Sequence, residues 1–425
     1  MGTTLKVQDV QILTHRLPHR LFLLLELDDI RFSFSVWFPG VNFHELYSSL
    51  GEMQTRSLLL HAVLFDLQNF MTVGVEVVDV KAFNVPVHDD LKTLWKEVAT
   101  KNWDDWRDKN KNNLPDQLIP KLVGCSAPDY QPYPVEVGPG RLLMFSGGKD
   151  SLASSILLDR SRKAYDTFFV LQSKDGSIDL QRKLINDVLK LTKRCHHYEA
   201  IVSEDFMNMP IKECTEYKFE GIGELYTETI SCMFKALVYA VAHNYDRVIL
   251  SNEAVADERK YSWSDSVPVI THQWGKSSAA EKLVNSYVRE HLVSNLRFTS
   301  RLRKWQDPEI FKLVKSRPKA LRLCHSCNIF KPWCKRCSKC CYIWLSYCAY
   351  LGYDFAFSVF HENLFDFPEN LQVFRELYTG EKKPFECVGR KEDVIEAFNL
   401  CVESGIGGRA IDEFRSWKKN NCGVN

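Results

Sequence analysis

Six consecutive residues, Ser146-Gly147-Gly148-Lys149-Asp150-Ser151, carry the clearest chemistry in the sequence. They stand between an apolar run, Leu142 to Phe145, that reads as a buried strand, and Leu152 to Leu158, which reads as an amphipathic helix. A strand, a glycine-rich turn and a helix N-terminus together present backbone N–H groups to a phosphate. Gly147 and Gly148 let the backbone approach an anion with no Cβ in the way. Ser146 and Ser151 supply hydroxyls, and Lys149 supplies a point charge. The loop is not of the G-x-x-x-x-G-K-[ST] type, because no second glycine stands at that spacing. A bare Ser-Gly-Gly would be an ordinary tight turn; Lys-Asp-Ser directly after it favours the phosphate.

A second constellation follows the strand-like Arg247-Val248-Ile249-Leu250. It runs Ser251-Asn252-Glu253-Ala254-Val255-Ala256-Asp257-Glu258, and Thr271-His272-Gln273-Trp274-Gly275-Lys276-Ser277 comes soon after. Carboxylates near a phosphate loop suit a magnesium-bound triphosphate, because Mg²⁺ prefers oxygen ligands. Ser251 and Asn252 are placed to serve the same nucleotide as the loop. His272 can move a proton near neutral pH, and Lys276 can neutralise a phosphate or a carboxylate. The plainer readings are a solvated loop for Asp257 and Glu258 and a structural histidine for His272.

The third constellation is Cys324-x2-Cys327-x6-Cys334-x2-Cys337-x2-Cys340, followed by Cys341 and Cys348. Thiolates at C-x2-C spacing can close on one tetrahedral zinc. Five cysteines compete for four places. Cys334, Cys337 and Cys340 come first, with Cys327 or Cys324 as the fourth. Cys341 and Cys348 lie in an apolar helix-like run and read as buried thiols.

The elements that must hold these groups follow from the rest of the chain. Its 425 residues allow two or three domains. Lys+Arg 55 against Asp+Glu 54 argues against a general nucleic-acid or anionic-membrane binder. The run Leu21-Phe22-Leu23-Leu24-Leu25 is cut by Glu26, Asp28 and Asp29 and is too short to span a bilayer. Fourteen cysteines without an apolar leader point to metal ligation in a reducing cytoplasm rather than to disulfides.

Residues 1–137 read as a separate N-terminal α+β domain, with a hairpin at 21–37, a helix at 54–69, a strand at 73–80 and a polar surface helix or loop at 100–115. A proline-rich linker, 127–134, precedes Gly138-Pro139-Gly140. From Arg141 to about residue 320, strands near 141–145, 167–171, 197–202 and 247–250 alternate with helices near 151–162, 179–192, 225–243 and 277–292. Alternation at this spacing predicts an α/β fold with a parallel sheet and helices on both faces. Its site should lie beyond the carboxyl ends of the strands. Residues 321–425 read as a cysteine-rich zinc knuckle with a helical region.

The loop at Ser146–Ser151 resembles the pyrophosphate loop (PP-loop) of the ATP pyrophosphatases, adenine nucleotide alpha hydrolase-like enzymes that cleave ATP between the α- and β-phosphates. That loop, Ser-Asn-Glu after a strand, His-Gln-x-x-Lys-Ser, the late Trp-Cys-x-x-Cys-x-x-Cys and Lys383-Pro384-Phe385-Glu386-Cys387-Val388-Gly389 together resemble the MurL family, UDP-N-acetylmuramoyl-L-alanyl-L-glutamate epimerases. The likeness runs in order over about 140–395. It implies an ATP- and Mg²⁺-dependent enzyme that adenylates the terminal carboxylate of a nucleotide-sugar peptide, a small-molecule substrate, and inverts its L-glutamate, while the cysteine spacing adds a structural zinc. Lys149 and the loop amides would stabilise departing pyrophosphate, and Asp150 would help to place Mg²⁺. The base would come from His272, Glu253, Asp257 or Glu258. An enzyme of the 7-cyano-7-deazaguanine synthase type shares the loop and the knuckle and also adenylates a carboxylate. A tRNA-thiolating member would want a basic face. A nucleotide-binding module without turnover is the non-catalytic alternative.

Overall fold

Alternating leucines build the first strands. Leu21, Leu23, Leu25 and Leu27 all turn into the core along Arg20–Leu27 (β2), which pairs antiparallel with Ile30–Trp37 (β3). Asp28 takes the left-handed φ of 53° that a two-residue hairpin turn demands. Thr4–Gln11 (β1) pairs with the other edge of β2. The computed structural model describes the chain except residues 1–2, 13–16, 111–118, 127–133, 208–224, 226, 262–268, 328, 381–387 and 422–425. Most of the expected linker and most of the Lys383–Gly389 motif therefore lie outside the described residues.

Helices Phe43–Leu50 (α1) and Glu52–Leu64 (α2) follow, then a 3-10 stretch at Phe65–Val73, the short strand Val77–Asp79 (β4), helix Asp89–Asn110 (α3) and strand Lys121–Val123 (β5). Of the segment expected as a polar surface helix or loop, residues 100–110 are helical, as the end of α3, but are partly buried, and 111–115 lie outside the described residues. Trp103 is fully buried and stacks on Trp106 at 5.1 Å, while Asn102, Asp105 and Arg107 are also buried. Its polar composition misleads because several of those groups are paired inside the protein, Asn102 Nδ2 with the Val98 carbonyl and Asp105 with His272 and the Gln273 amide.

Beyond residue 140 the chain winds a parallel sheet. Arg141–Met144 (β6) leads to Lys149–Ser161 (α4), Asp166–Gln172 (β7) to Ile178–Leu189 (α5), and His197–Glu204 (β8) on to Glu228–Ala242 (α6). Arg247–Glu253 (β9), Ser278–His291 (α7) and Arg297–Leu302 (β12) complete it, while Arg259–Tyr261 (β10) and Val269–Thr271 (β11) form a separate two-stranded sheet. The parallel part has the order β8-β7-β6-β9-β12, so the winding reverses between β6 and β9. Its strands are apolar on both sides. Leu142, Phe168 and Val248 join one core, and Leu143, Leu171 and Ile249 join the other, as a sheet with helices on both faces requires.

The N-terminal unit expected over residues 1–137 is not separate. β3 pairs antiparallel with β8, Phe34 opposite Glu204 and Trp37 opposite Ile201, so one sheet of ten strands runs β12-β9-β6-β7-β8-β3-β2-β1-β4-β5. The core on one face is continuous from Leu5 to Phe298. Buried Lys235 of α6 reaches back to Asp66 at 2.6 Å. After β12 the chain is helical: Asp307–Val314 (α8), Pro318–Leu323 (α9), Ser338–Leu351 (α10), Tyr353–Phe360 (α11), Pro368–Thr379 (α12), Lys391–Glu403 (α13) and Arg409–Asn421 (α14). Among the described residues no helix is long and apolar enough to cross a membrane.

Phe34 sits at the β3–β8 seam, buried, with its ring 5.9 Å from that of Phe206. Phe34→Ala should cost about 3–5 kcal/mol and lower a single cooperative unfolding transition. Two calorimetric transitions, only one of them shifted, would mean that the two halves of the sheet are independent.

Candidate active site

The reversal between β6 and β9 opens a crevice at the carboxyl ends of those two strands, where doubly wound sheets bind ligands. β6 delivers the loop 145–148 and the first turn of α4; β9 ends on Glu253 itself. Pro308 opens α8 nearby and places Asp307 as that helix's first residue.

Lys149 is the centre of this crevice and is only 3% exposed. Its Nζ donates to Asp150 Oδ1 at 2.5 Å, to Glu253 Oε2 at 3.3 Å and to Asp307 Oδ1. The ammonium also lies 5.4 Å from the centre of the Phe311 ring. Tyr342 of α10 donates its hydroxyl to the other oxygen of Asp307 at 2.5 Å, a charge-assisted distance. Burial opposes the Lys149 charge, but Asp150, Asp307 and Glu253 outweigh it and hold its pKa well above the usual lysine value. Burial and then the Asp307 charge push Glu253 well up, against the pull of Lys149. Asp307 resists the same burial because Lys149 and its hydrogen bond with Glu253 hold it down, to about 2. The three carboxylates lie within 4.8 Å of one another, an oxygen set suited to a hard divalent cation.

The loop is built for close approach. Gly147 has φ 79°, and a Cβ there would come within 2.5 Å of the His325 ring. His325 N donates to the Gly147 carbonyl at 3.2 Å, so the segment after α9 closes over the loop. Gly148 is the N-cap of α4, and the Ser151 hydroxyl returns to the Gly148 carbonyl at 2.9 Å. Ser146 stands exposed at the mouth. Three buried polar atoms around this crevice, Ser251 Oγ, Asn252 Nδ2 and His325 Nδ1, have no hydrogen-bond partner. Such atoms are costly unless a ligand completes them, so the residues present fit a nucleotide.

The other expected residues divide. Asp257 Oδ1 accepts from Ser278 N at 2.6 Å and Oδ2 faces Arg303 at 3.5 Å, so Asp257 caps α7. Glu258 faces Arg390 at 3.8 Å. Lys276 reaches the Gln273 side-chain oxygen one turn back. His272 Nδ1 lies 2.9 Å from the buried carboxylate of Asp105, which also accepts from Gln273 N at 3.0 Å. A neutral ring so held carries its proton on Nδ1 and its lone pair on Nε2. Sequence reasoning missed Asp307, Tyr342, His325 and Asp105. Only His325 carried a signal, its place between two metal-type cysteines.

Of the five cysteines, Cys327, Cys334, Cys337 and Cys340 come together. Cys327 and Cys337 sulfurs are 3.9 Å apart and those of Cys334 and Cys340 are 3.8 Å apart. A tetrahedron with Zn–S of about 2.3 Å has edges of about 3.8 Å, so the donor set fits zinc. Backbone N–H groups of Phe330, Cys334, Cys337 and Cys340 point at the sulfurs at 3.3–3.4 Å. Cys324 stands outside the group, and burial pushes its thiol up. Cys341 and Cys348 are buried in α10, as the apolar run implies.

Residues 227–301 match the family described as the MurL N-terminal domain, and residues 313–406 the MurL C-terminal domain. The likeness is to MurL. Three curated relatives bear the name UDP-N-acetyl-alpha-D-muramoyl-L-alanyl-L-glutamate epimerase. The one from Micromonospora sp. is 29% identical over 176 residues, 40% of this chain and 39% of its own. The one from Salinispora tropica is 30% identical over 176 residues, 40% of this chain and 38% of its own. The one from Xanthomonas oryzae pv. oryzae is 27% identical over 163 residues, 35% of each. The chain thus covers less than two fifths of the length of these relatives. Glu253 and His272 fall in the first MurL match, and the four cysteines and Tyr342 fall in the second; Lys149, Asp150 and Asp307 lie outside both.

The sulfur geometry makes a sharp expectation. Metal-replete protein should hold one zinc resistant to dialysis at this group. Cys337→Ser should lose it, and Cys324→Ser should keep it. Equal zinc loss in both variants, measured by elemental analysis, would place Cys324 among the ligands.

Proposed function

We propose that this chain is an ATP-dependent epimerase of the MurL family, inverting the terminal L-glutamate of UDP-N-acetylmuramoyl-L-alanyl-L-glutamate. The observation that carries the proposal is Lys149, buried among Asp150, Glu253 and Asp307 at the β6/β9 crevice, in a chain whose adjoining segments resemble MurL. The α-proton beside a carboxylate is too weakly acidic to remove directly. In this reading a substrate carboxylate oxygen attacks the α-phosphorus of ATP, and the bond to the β-phosphate oxygen breaks. Pyrophosphate leaves toward the loop amides and Lys149. The acyl adenylate has lost the carboxylate charge, so loss of the α-proton sends its electron pair into an enolate. Return of a proton on the opposite face inverts the centre. Water then releases AMP and the D-glutamyl product.

His272 is the favoured base, since Asp105 fixes its ring and would stabilise the imidazolium, the role the carboxylate has in a catalytic triad. Asp150, Glu253 and Asp307 are the residues that would hold Mg²⁺, which supplies charge neutralisation for the triphosphate. Cys327, Cys334, Cys337 and Cys340 would hold a structural zinc, and a reducing cytoplasm suits their thiolates.

Turnover of ATP with UDP-N-acetylmuramoyl-L-alanyl-L-glutamate, followed by chiral analysis of the glutamate, tests the reading. D-glutamate with deuterium at the α-carbon is expected in deuterated water. His272→Ala should cut deuterium incorporation far more than it cuts AMP formation. Asp150→Asn should lower turnover about 100-fold or more in protein that still unfolds cooperatively and keeps its far-UV spectrum. Nitrogen incorporation without inversion would select a nitrile-forming enzyme instead, and binding of ATP with no turnover would leave a nucleotide-binding module.

A further inference from the structure

We propose that His88, Asp90 and His291 form a second metal site, separate from the cysteine group, that takes a borderline divalent ion such as Zn²⁺ and clamps the start of α3 to the end of α7. Their ligand atoms lie within 4.8 Å of one another. His291 Nε2 stands 3.4 Å from Asp90 Oδ2. A tetrahedral ion with nitrogen and oxygen ligands at about 2.0–2.1 Å has edges of about 3.3–3.4 Å, so this pair is already at ligand spacing. The His88 and His291 rings are 4.7 Å apart, which brings His88 into the same group. Imidazole nitrogen with carboxylate oxygen suits zinc and its neighbours better than Mg²⁺ or Ca²⁺. Glu290 Oε2, 3.9 Å from His291 Nε2, or water would complete the coordination.

A hydrogen-bond chain behind the site orients His88. His61 is buried, its pKa pushed down to about 4 by that burial, so its ring is neutral. His61 Nδ1 lies 2.6 Å from the Ser57 carbonyl and must donate to it. Its Nε2 therefore accepts from the Tyr287 hydroxyl at 2.7 Å. The Tyr287 oxygen can then only accept from His88 Nε2, at 3.4 Å. That puts the His88 proton on Nε2 and its lone pair on Nδ1. A metal-ligating histidine ordinarily hands its other N–H to such a partner. The ring of Tyr287 lies parallel to that of His88, within 3°, which limits its rotation.

The clamp matters because of what lies at the other ends of the two helices. Asp105, which holds His272, is 17 residues after His88 on α3, about 25 Å away at 1.5 Å per residue. α7 begins at Ser278, just after Lys276, and ends at His291. A metal joining the far ends would fix the relative register of both helices without touching the chemistry.

The test uses the full-length, metal-stripped protein and Co²⁺ or Zn²⁺ alone as probe. Wild type should bind one more equivalent than Asp90→Asn or His88→Gln. The extra cobalt should show weak visible d–d bands, while the intense thiolate-to-cobalt absorption of the cysteine group stays the same in all three proteins. Zn²⁺ should raise the melting temperature of wild type more than that of either variant. Asp90 is a surface residue, so Asp90→Asn keeps the comparison open if His88→Gln folds poorly. Equal cobalt stoichiometry in wild type and Asp90→Asn would overturn the site and leave His291–Asp90 as an ion pair only. None of these readouts depends on epimerase activity.

Discussion

A lysine buried among three carboxylates is the constraint on which the crevice depends. Taking Lys149 out of water costs several kcal/mol, roughly, and only close opposite charges offset that. Asp150, Glu253 and Asp307 do more than offset it, because three carboxylates surround one ammonium. The surplus negative charge is relieved in part by the Tyr342 hydroxyl, which donates to Asp307, and it pushes the Glu253 carboxyl up. Such a balance holds the first turn of α4, the end of β9 and the start of α8 in one place.

The helical C-terminal region braces this arrangement. Cys337 is both a member of the cysteine group and the N-cap of α10, its side chain accepting from Cys340 N. Tyr342 lies in the next turn of α10 and reaches Asp307. Gly389 presses on the Tyr342 ring so closely that a Cβ would fall 2.2 Å from its hydroxyl. Arg390 then links Asp393 of α13 to Glu258, in the loop after β9. The cysteine group is thus tied to the crevice by packing and by the Tyr342–Asp307 hydrogen bond rather than by proximity in sequence.

Local pattern carried much of this into the sequence. The strand–loop–helix at 142–158 shows in its apolar runs and paired glycines, and the β6–β9 alternation shows in its spacing. The four cysteines show in theirs, down to one choice that sulfur distances make. What stays hidden is long-range. Asp307 meets Lys149 across 158 residues and has no local pattern beyond Asp-Pro at a helix start. Asp105 sits in a run so polar that its burial contradicts composition; it is buried because His272 and the Gln273 amide satisfy it. The fusion of the N-terminal strands to β8 could not be read either, since antiparallel pairing between β3 and β8 leaves no trace in either strand alone.

The central claim is that Lys149 and its carboxylates serve the α–β bond of ATP. The most direct measurement is exchange of labelled pyrophosphate into ATP, with UDP-N-acetylmuramoyl-L-alanyl-L-glutamate and Mg²⁺ present. Reversible adenylation predicts label in ATP that depends on the carboxylate substrate and falls steeply in Lys149→Gln. ADP and phosphate as products, with no exchange of pyrophosphate, would contradict the account.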